Sequence, residues 1–213
     1  MTENLAISII YSILYIGRET SIGEQKKMKN PYLYGYIPLF SIVLFSLTFG
    51  IFAVSESMAI FKGIGIYGGM REFLSDFELR VLLLVMFSLL FFMTFSALKL
   101  IGTTIHELGM LFFSKDKDGE TMKVARGGNV IFFFGALVSA VGIQSFIVLI
   151  VIFVVTVLVY YIYVVYKLST FMNFTGMIGL IVFEIIFWAL FLTAIIFVFI
   201  RLYNSLVSSL PFI

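Results

Sequence analysis

Cysteine is absent from all 213 residues, and the chain has one histidine, one tryptophan and three prolines. Without cysteine there is no disulfide, no thiol nucleophile and no thiolate-ligated metal or cluster, while the redox compartment stays open. Charge is scarce too: 12% of residues are charged, against about 25% in a soluble domain. Fourteen Lys and Arg against twelve Asp and Glu leave a net charge of +2, too weak a field for a nucleic-acid binder. The single histidine also disposes of one tempting motif. His106-Glu107 begins like the HExxH of a zinc protease, but Met110 stands where the second histidine is needed. A GxSxG nucleophile turn is missing as well, so an intramembrane serine protease has no support. The expectation is a protein that is not an enzyme and holds no cofactor and no metal.

What fills the chain is apolar: 62% of residues are hydrophobic and 18% aromatic. A body of this size cannot bury that much apolar surface, so lipid is the solvent. A helix crosses the hydrocarbon core with about 20 apolar residues, pairing its backbone donors and acceptors internally. The runs here are long and do not alternate, which selects helices over barrel strands. The expected fold is an all-α, polytopic helical transmembrane bundle. Its first span covers about Tyr34–Val54, with Pro38 in the opening turns, where a missing N–H matters least. The second covers Leu79–Ile101 and extends as helix towards Phe113, and the last covers Gly176–Ile200, stopping at Arg201. Between them Val130–Tyr166 is a predominantly apolar run of 37 residues, about 55 Å of helix and nearly twice the hydrocarbon core. The stretch Val141-Gly142-Ile143-Gln144-Ser145 divides it into spans at 127–142 and 146–166. Five spans are favoured, with four as the alternative. With the N-terminus cytoplasmic, ten Lys and Arg fall inside and four outside under either count. That agrees with the positive-inside bias without choosing between the counts.

Leu5–Ile16 is a further apolar run, too short to cross and without the basic flank or cleavage site of a signal peptide. Residues 1–27 read as an interfacial extension or as lying ahead of a natural start at Met28, the second being favoured; 28–213 is the membrane domain. Tyr32, Tyr34 and Tyr36, then Tyr160, Tyr161, Tyr163 and Tyr166, then Tyr203, fit interfacial belts at span ends. In the outer loop Gly63, Gly65 and Gly68 match GxGxxG by spacing alone, and with no preceding strand they read as turn glycines. Met70, Phe73, Leu74 and Phe77 follow at helical spacing, an amphipathic face for the outer leaflet, the bundle or a partner. The inner loop Ser114–Asn129 carries four basic residues and fails the EF-hand spacing, leaving a solvated turn of mixed charge. Gly135, Ala136, Ser139, Ala140 and Gly142 give the third span a small-residue face for packing within the chain or between copies.

Glu184 stands out, because it lies well inside the last span. Ionised and alone in hydrocarbon it would cost several kcal/mol, so it must be protonated, paired or facing water. Asn173, three turns earlier, shares nearly the same face, as does Trp188 one turn later. By depth the nearest expected partner is Lys99, whose alternative is to snorkel to the interface. Lys99, Thr103 and His106 recur at helical spacing as a polar stripe, either the wet edge of a helix end or a proton relay. The candidate intramembrane polar site is therefore Glu184, Lys99, His106 and Asn173.

Three segments carry a family resemblance. The tail Arg201-Leu202-Tyr203-Asn204-Ser205 with Leu210-Pro211, the run Leu111-Phe112-Phe113-Ser114-Lys115-Asp116, and Lys29-Asn30-Pro31-Tyr32 with Gly35-Tyr36 together resemble the YufK-type family of small uncharacterised Bacillus membrane proteins. The resemblance runs over about Met28–Ile213 and implies a multi-pass protein of a bacterial cytoplasmic membrane. It brings no activity with it, so no catalytic residue transfers. Two functions stay open. A non-catalytic membrane component or accessory subunit, associating with itself or with a larger complex, is favoured because no catalytic or cofactor constellation is complete. The alternative is a small ion or proton-coupled solute transporter using Glu184.

Overall fold

The computed structural model describes residues 31–114, 127–169 and 172–209. The N-terminal extension 1–27, the basic turn at 115–126 and the tail from position 210 lie outside the described residues. Residues Ile37–Ile213 form one compact unit. Every regular element among the described residues is helical: α1 (Pro31–Gly63), α2 (Tyr67–Phe73), α3 (Asp76–Phe113), α4 (Asn129–Ser139, closed by a 3-10 turn at Ala140–Gly142), α5 (Phe146–Leu168) and α6 (Phe174–Ser209). By length and composition four helices can cross a membrane: Tyr36–Gly63, Asp76–Phe113, Phe146–Leu168 and Phe174–Ser209. Asn129–Gly142 is apolar but shorter.

The helices outrun the apolar segments that mark them. α1 continues to Gly63 through Ser55, Glu56 and Lys62, because water pairs the polar side chains of an emerging helix while the backbone bonds continue. For the same reason α6 passes Arg201 and ends at Ser209. The connection from α1 to α3 is correspondingly short. Gly65 there has φ of +81°, so one of the turn glycines does what its lack of a Cβ permits. The amphipathic face expected over Met70–Phe77 is interrupted, since α2 ends at Phe73 and Ser75 begins a new helix. Ser75 accepts from the Glu78 backbone N–H while the Glu78 carboxylate accepts from the Ser75 N–H, a capping box. Met70 and Leu74 consequently pack on Leu79, Leu83, Val54 and Met58, whereas Phe73 and Phe77 are exposed.

Three antiparallel contacts build the bundle. Along α1 and α3, Val54 and Met58 meet Leu79 and Leu83, Phe49 meets Phe91 and Phe45 meets Phe95. α4 and α5 form a hairpin turned at Ile143–Ser145, as the polar break at 141–145 leads one to expect. A Cβ at Gly142 would meet Val148 and Ile152, one at Gly135 would overlap Thr156, and one at Gly128 would meet Tyr160 and Tyr163. Of the small-residue face of α4, Gly135, Ala136, Ser139 and Gly142 thus pack within the chain, while Ala140 is exposed. Finally α3 and α6 pair so that Gly102 faces Trp188, Gly109 faces Leu180, and Phe113 faces Gly176 and Gly179. Tyr36, Tyr166 and Tyr203 are exposed, as an interfacial belt requires. Tyr160 and Tyr163 depart from that expectation and pack inward with Val164, Leu168 and Leu180.

Candidate functional site

The α3–α6 contact places one ionisable pair inside the bundle. His106 Nδ1 and Glu184 Oε1 lie 2.7 Å apart, and the Glu184 side chain is only 7% exposed. Gly102 and Gly109 stand one turn before and one turn after His106 on the same face of α3. A Cβ at Gly109 would come within 2.5 Å of Leu180 Cδ1, so its absence brings the two backbones close enough for imidazole and carboxylate to meet. The pair satisfies a carboxylate that hydrocarbon would otherwise strand. With either partner carrying the shared proton it is uncharged, and removing that proton leaves one negative charge.

α5 closes the other side. The Tyr160 and Tyr161 hydroxyls lie near Glu184. The Tyr161 hydroxyl is buried beside it with no partner at hydrogen-bonding geometry among the described residues. A second polar contact sits about 10 Å along α3, seven residues earlier. There Lys99 Nζ donates to Asn129 Oδ1 at 2.8 Å and rests over the rings of Phe132 at 5.1 Å and Tyr160 at 5.5 Å. Tyr160 thereby touches the second contact and lies near the first.

The expected grouping of Glu184, Lys99, His106 and Asn173 is redistributed. Glu184 takes His106 rather than Lys99, because the antiparallel register sets Lys99 two turns away, where Asn129 and two aromatic rings hold its ammonium. Asn173 is exposed just ahead of α6, where its carbonyl accepts from the Met177 N–H. Thr103 returns its hydroxyl to the Lys99 carbonyl and is exposed. Asn129, Tyr160 and Tyr161 enter the site unforeseen. Among the described residues no three His, Asp or Glu side chains gather as a metal ion would need.

A model of a family of unknown function, DUF5366, matches residues 54–211. The chain belongs to this family. It is also 39% identical over 184 residues to a protein of Bacillus subtilis (strain 168) described as the uncharacterized membrane protein YufK. That match covers 86% of this chain and the whole of the relative. No solved structure matches. Membership agrees with the YufK-type resemblance in the loop and tail segments and with a multi-pass membrane protein. The family match takes in α3, α5 and α6 together with His106 and Glu184.

Proposed function

We propose that the protein is a small proton-coupled carrier of the bacterial cytoplasmic membrane, working without covalent catalysis, with His106 and Glu184 as its proton-binding pair. The observation that carries this reading is the 2.7 Å contact between imidazole and carboxylate on two spanning helices. Ionisable groups inside a bundle are costly and typically serve relays or ion pathways. One feature that would suit an accessory subunit, the small-residue face of α4, meets α5 at Gly135 and Gly142. Purified protein in liposomes should move protons or a proton-coupled ion, and Glu184→Gln should abolish that movement. Equal flux in both proteins, or no flux for any ion, would retire the reading.

Five crossings with the N-terminus inside complete the proposal. Antiparallel spanning helices cross in opposite directions, which requires an even number of crossings between them. α4 and α5 supply two, giving five in all, whereas a single crossing between α3 and α6 would make those helices parallel. The 3-10 turn and its neighbours extend the short α4 across a locally thinned bilayer. Cysteines placed at Ser145 and Ser208 should both label from outside; a Ser208 site labelled from inside would restore the four-span arrangement.

One observation favours the second reading, a membrane component within a larger assembly. The C-terminal half of α6 is bare, with every residue from 196 to 200 more than half exposed, so each side of that stretch faces lipid or a neighbour. Crosslinking in native membranes should then trap a discrete adduct through α6, and a chain that stays monomeric would remove this reading.

A further inference from the structure

Ser88, Phe95, Lys99 and His106 lie on one face of α3, since 18 residues make five full turns and the intermediate positions fall within a narrow arc. That face runs about 27 Å, close to the full hydrocarbon thickness. Buried polar side chains from other helices meet it at two depths, Asn129 at Lys99 and Glu184 at His106. At one end Ser88 abuts Gly50 of α1, and its hydroxyl is buried without a hydrogen-bond partner among the described residues. Between α1 and α4, Thr48 Oγ1 and Ser139 Oγ lie 3.0 Å apart, both residues buried. At the other end stand Lys99–Asn129, Tyr161 and His106–Glu184. Aromatic rings interrupt the column, with Phe49 against Phe91 next to Ser88. Phe45, Phe95 and Phe153, one from each of α1, α3 and α5, bring their ring centroids within 5.0–6.0 Å of one another.

We propose that this column is a proton path across the bundle, with the Phe45–Phe95–Phe153 cluster as the barrier between an outer hydroxyl half and an inner ionisable half. The inference rests on the proton-binding reading of His106–Glu184 and adds the route and the gate. Two observations carry it beyond the pair itself. The buried Ser88 hydroxyl, without a hydrogen-bond partner among the described residues, and the Tyr161 hydroxyl, beside the Glu184 carboxylate, fall on opposite sides of the rings, and each can donate and accept. The ring cluster lies in the stretch of the α3 face between Ser88 and Lys99, where Phe91, Phe92 and Phe95 replace polar side chains. In each cycle one proton passes from water to the pair and leaves to water on the opposite side, so only N–H and O–H bonds form and break. Among the described residues the titratable groups facing the pair are Tyr160 and Tyr161 from α5, while Lys99 on α3 is held two turns away by Asn129.

The native chain has no cysteine, so single cysteines in the full-length protein report access cleanly. With a charged, membrane-impermeant thiol reagent on sealed vesicles, Ser88→Cys and Asn129→Cys should label from opposite faces, and Phe95→Cys from neither. Both sites labelling from the same face, neither labelling, or Phe95→Cys labelling as fast as the others would overturn the path. Removing the barrier gives an independent reading in liposomes loaded with a pH dye. Phe153→Ala should raise the proton leak, and adding Glu184→Gln should return it to the wild-type rate. A leak indifferent to Glu184 is plain disruption and counts against the path, as does an unchanged leak in a protein that keeps its helical circular dichroism. A Glu184-dependent leak from Phe153→Ala in a protein whose wild type shows no coupled flux supports the path while removing the carrier.

Discussion

The two seams that α3 makes with α1 and with α6 use similar geometry for different ends. Each is antiparallel, and each depends on a glycine to bring the helices together: Gly50 opposite Ser88 in the first, Gly109 opposite Leu180 in the second. Against α1 the contact is aromatic and its polar groups are hydroxyls. Along α1, the buried Ser41, Ser46 and Thr48 reach back to the carbonyls of Ile37, Ile42 and Phe45 on their own helix. Against α6 the polar groups are a carboxylate and an imidazole, for which no carbonyl one turn back can compensate, and they satisfy each other across the seam. A hydroxyl can be carried through hydrocarbon by its own helix, whereas an ionisable group needs a second helix in register. The first seam can therefore shift with little polar cost, while the second is tied to one alignment.

The sharpest way to break this contrast is to strand one partner. His106→Leu leaves Glu184 without its hydrogen bond and should cost about 3–5 kcal/mol in detergent unfolding. The double variant His106→Leu/Glu184→Leu should recover most of that loss, because no buried charge is left unpaired. On the α1 side a steric change matters more than a polar one. Gly50→Ala places a Cβ 2.5 Å from Ser88 Oγ and 3.3 Å from the Ser88 backbone nitrogen, and should destabilise by about 1–3 kcal/mol in the same assay. Thr48→Val removes the bond to Ser139, which keeps its own bond to the Ala136 carbonyl at 2.7 Å, so the loss should be about 1 kcal/mol. Smallest of all, Ser88→Ala deletes a buried hydroxyl that has no partner, and thermal midpoints should stay level or rise slightly. A large loss from Ser88→Ala, or none from His106→Leu, would reverse the ranking of the two seams.

Much of this architecture could be read from the sequence. The turn at 143–145 is marked by Gly142, Gln144 and Ser145 inside an apolar run, since a polar interruption there must find water or the end of a helix. Helix ends were harder. Apolar runs report where hydrocarbon begins, not where backbone hydrogen bonding stops, and so α1 and α6 exceed the segments that mark them. The break in the outer amphipathic face was legible in the Ser75–Glu78 spacing of a capping box, a local signal that the helical recurrence of Met70, Phe73, Leu74 and Phe77 obscures. Glu184 was conspicuous by its surroundings, but its partner depends on the register of two helices 78 positions apart along the chain, which composition does not encode. Matching by depth chose Lys99 and missed by two turns. The clue lay beside the histidine, where Gly102 and Gly109 mark the face of α3 that α6 can approach.

The most direct measurement is infrared spectroscopy of the protonated carboxyl band during a pH titration in lipid. The account predicts a band that titrates in the wild type, is missing in Glu184→Gln and shifts in both position and midpoint in His106→Gln. A wild-type spectrum with no titrating carboxyl, or one indifferent to the loss of His106, would contradict a shared proton between the two side chains.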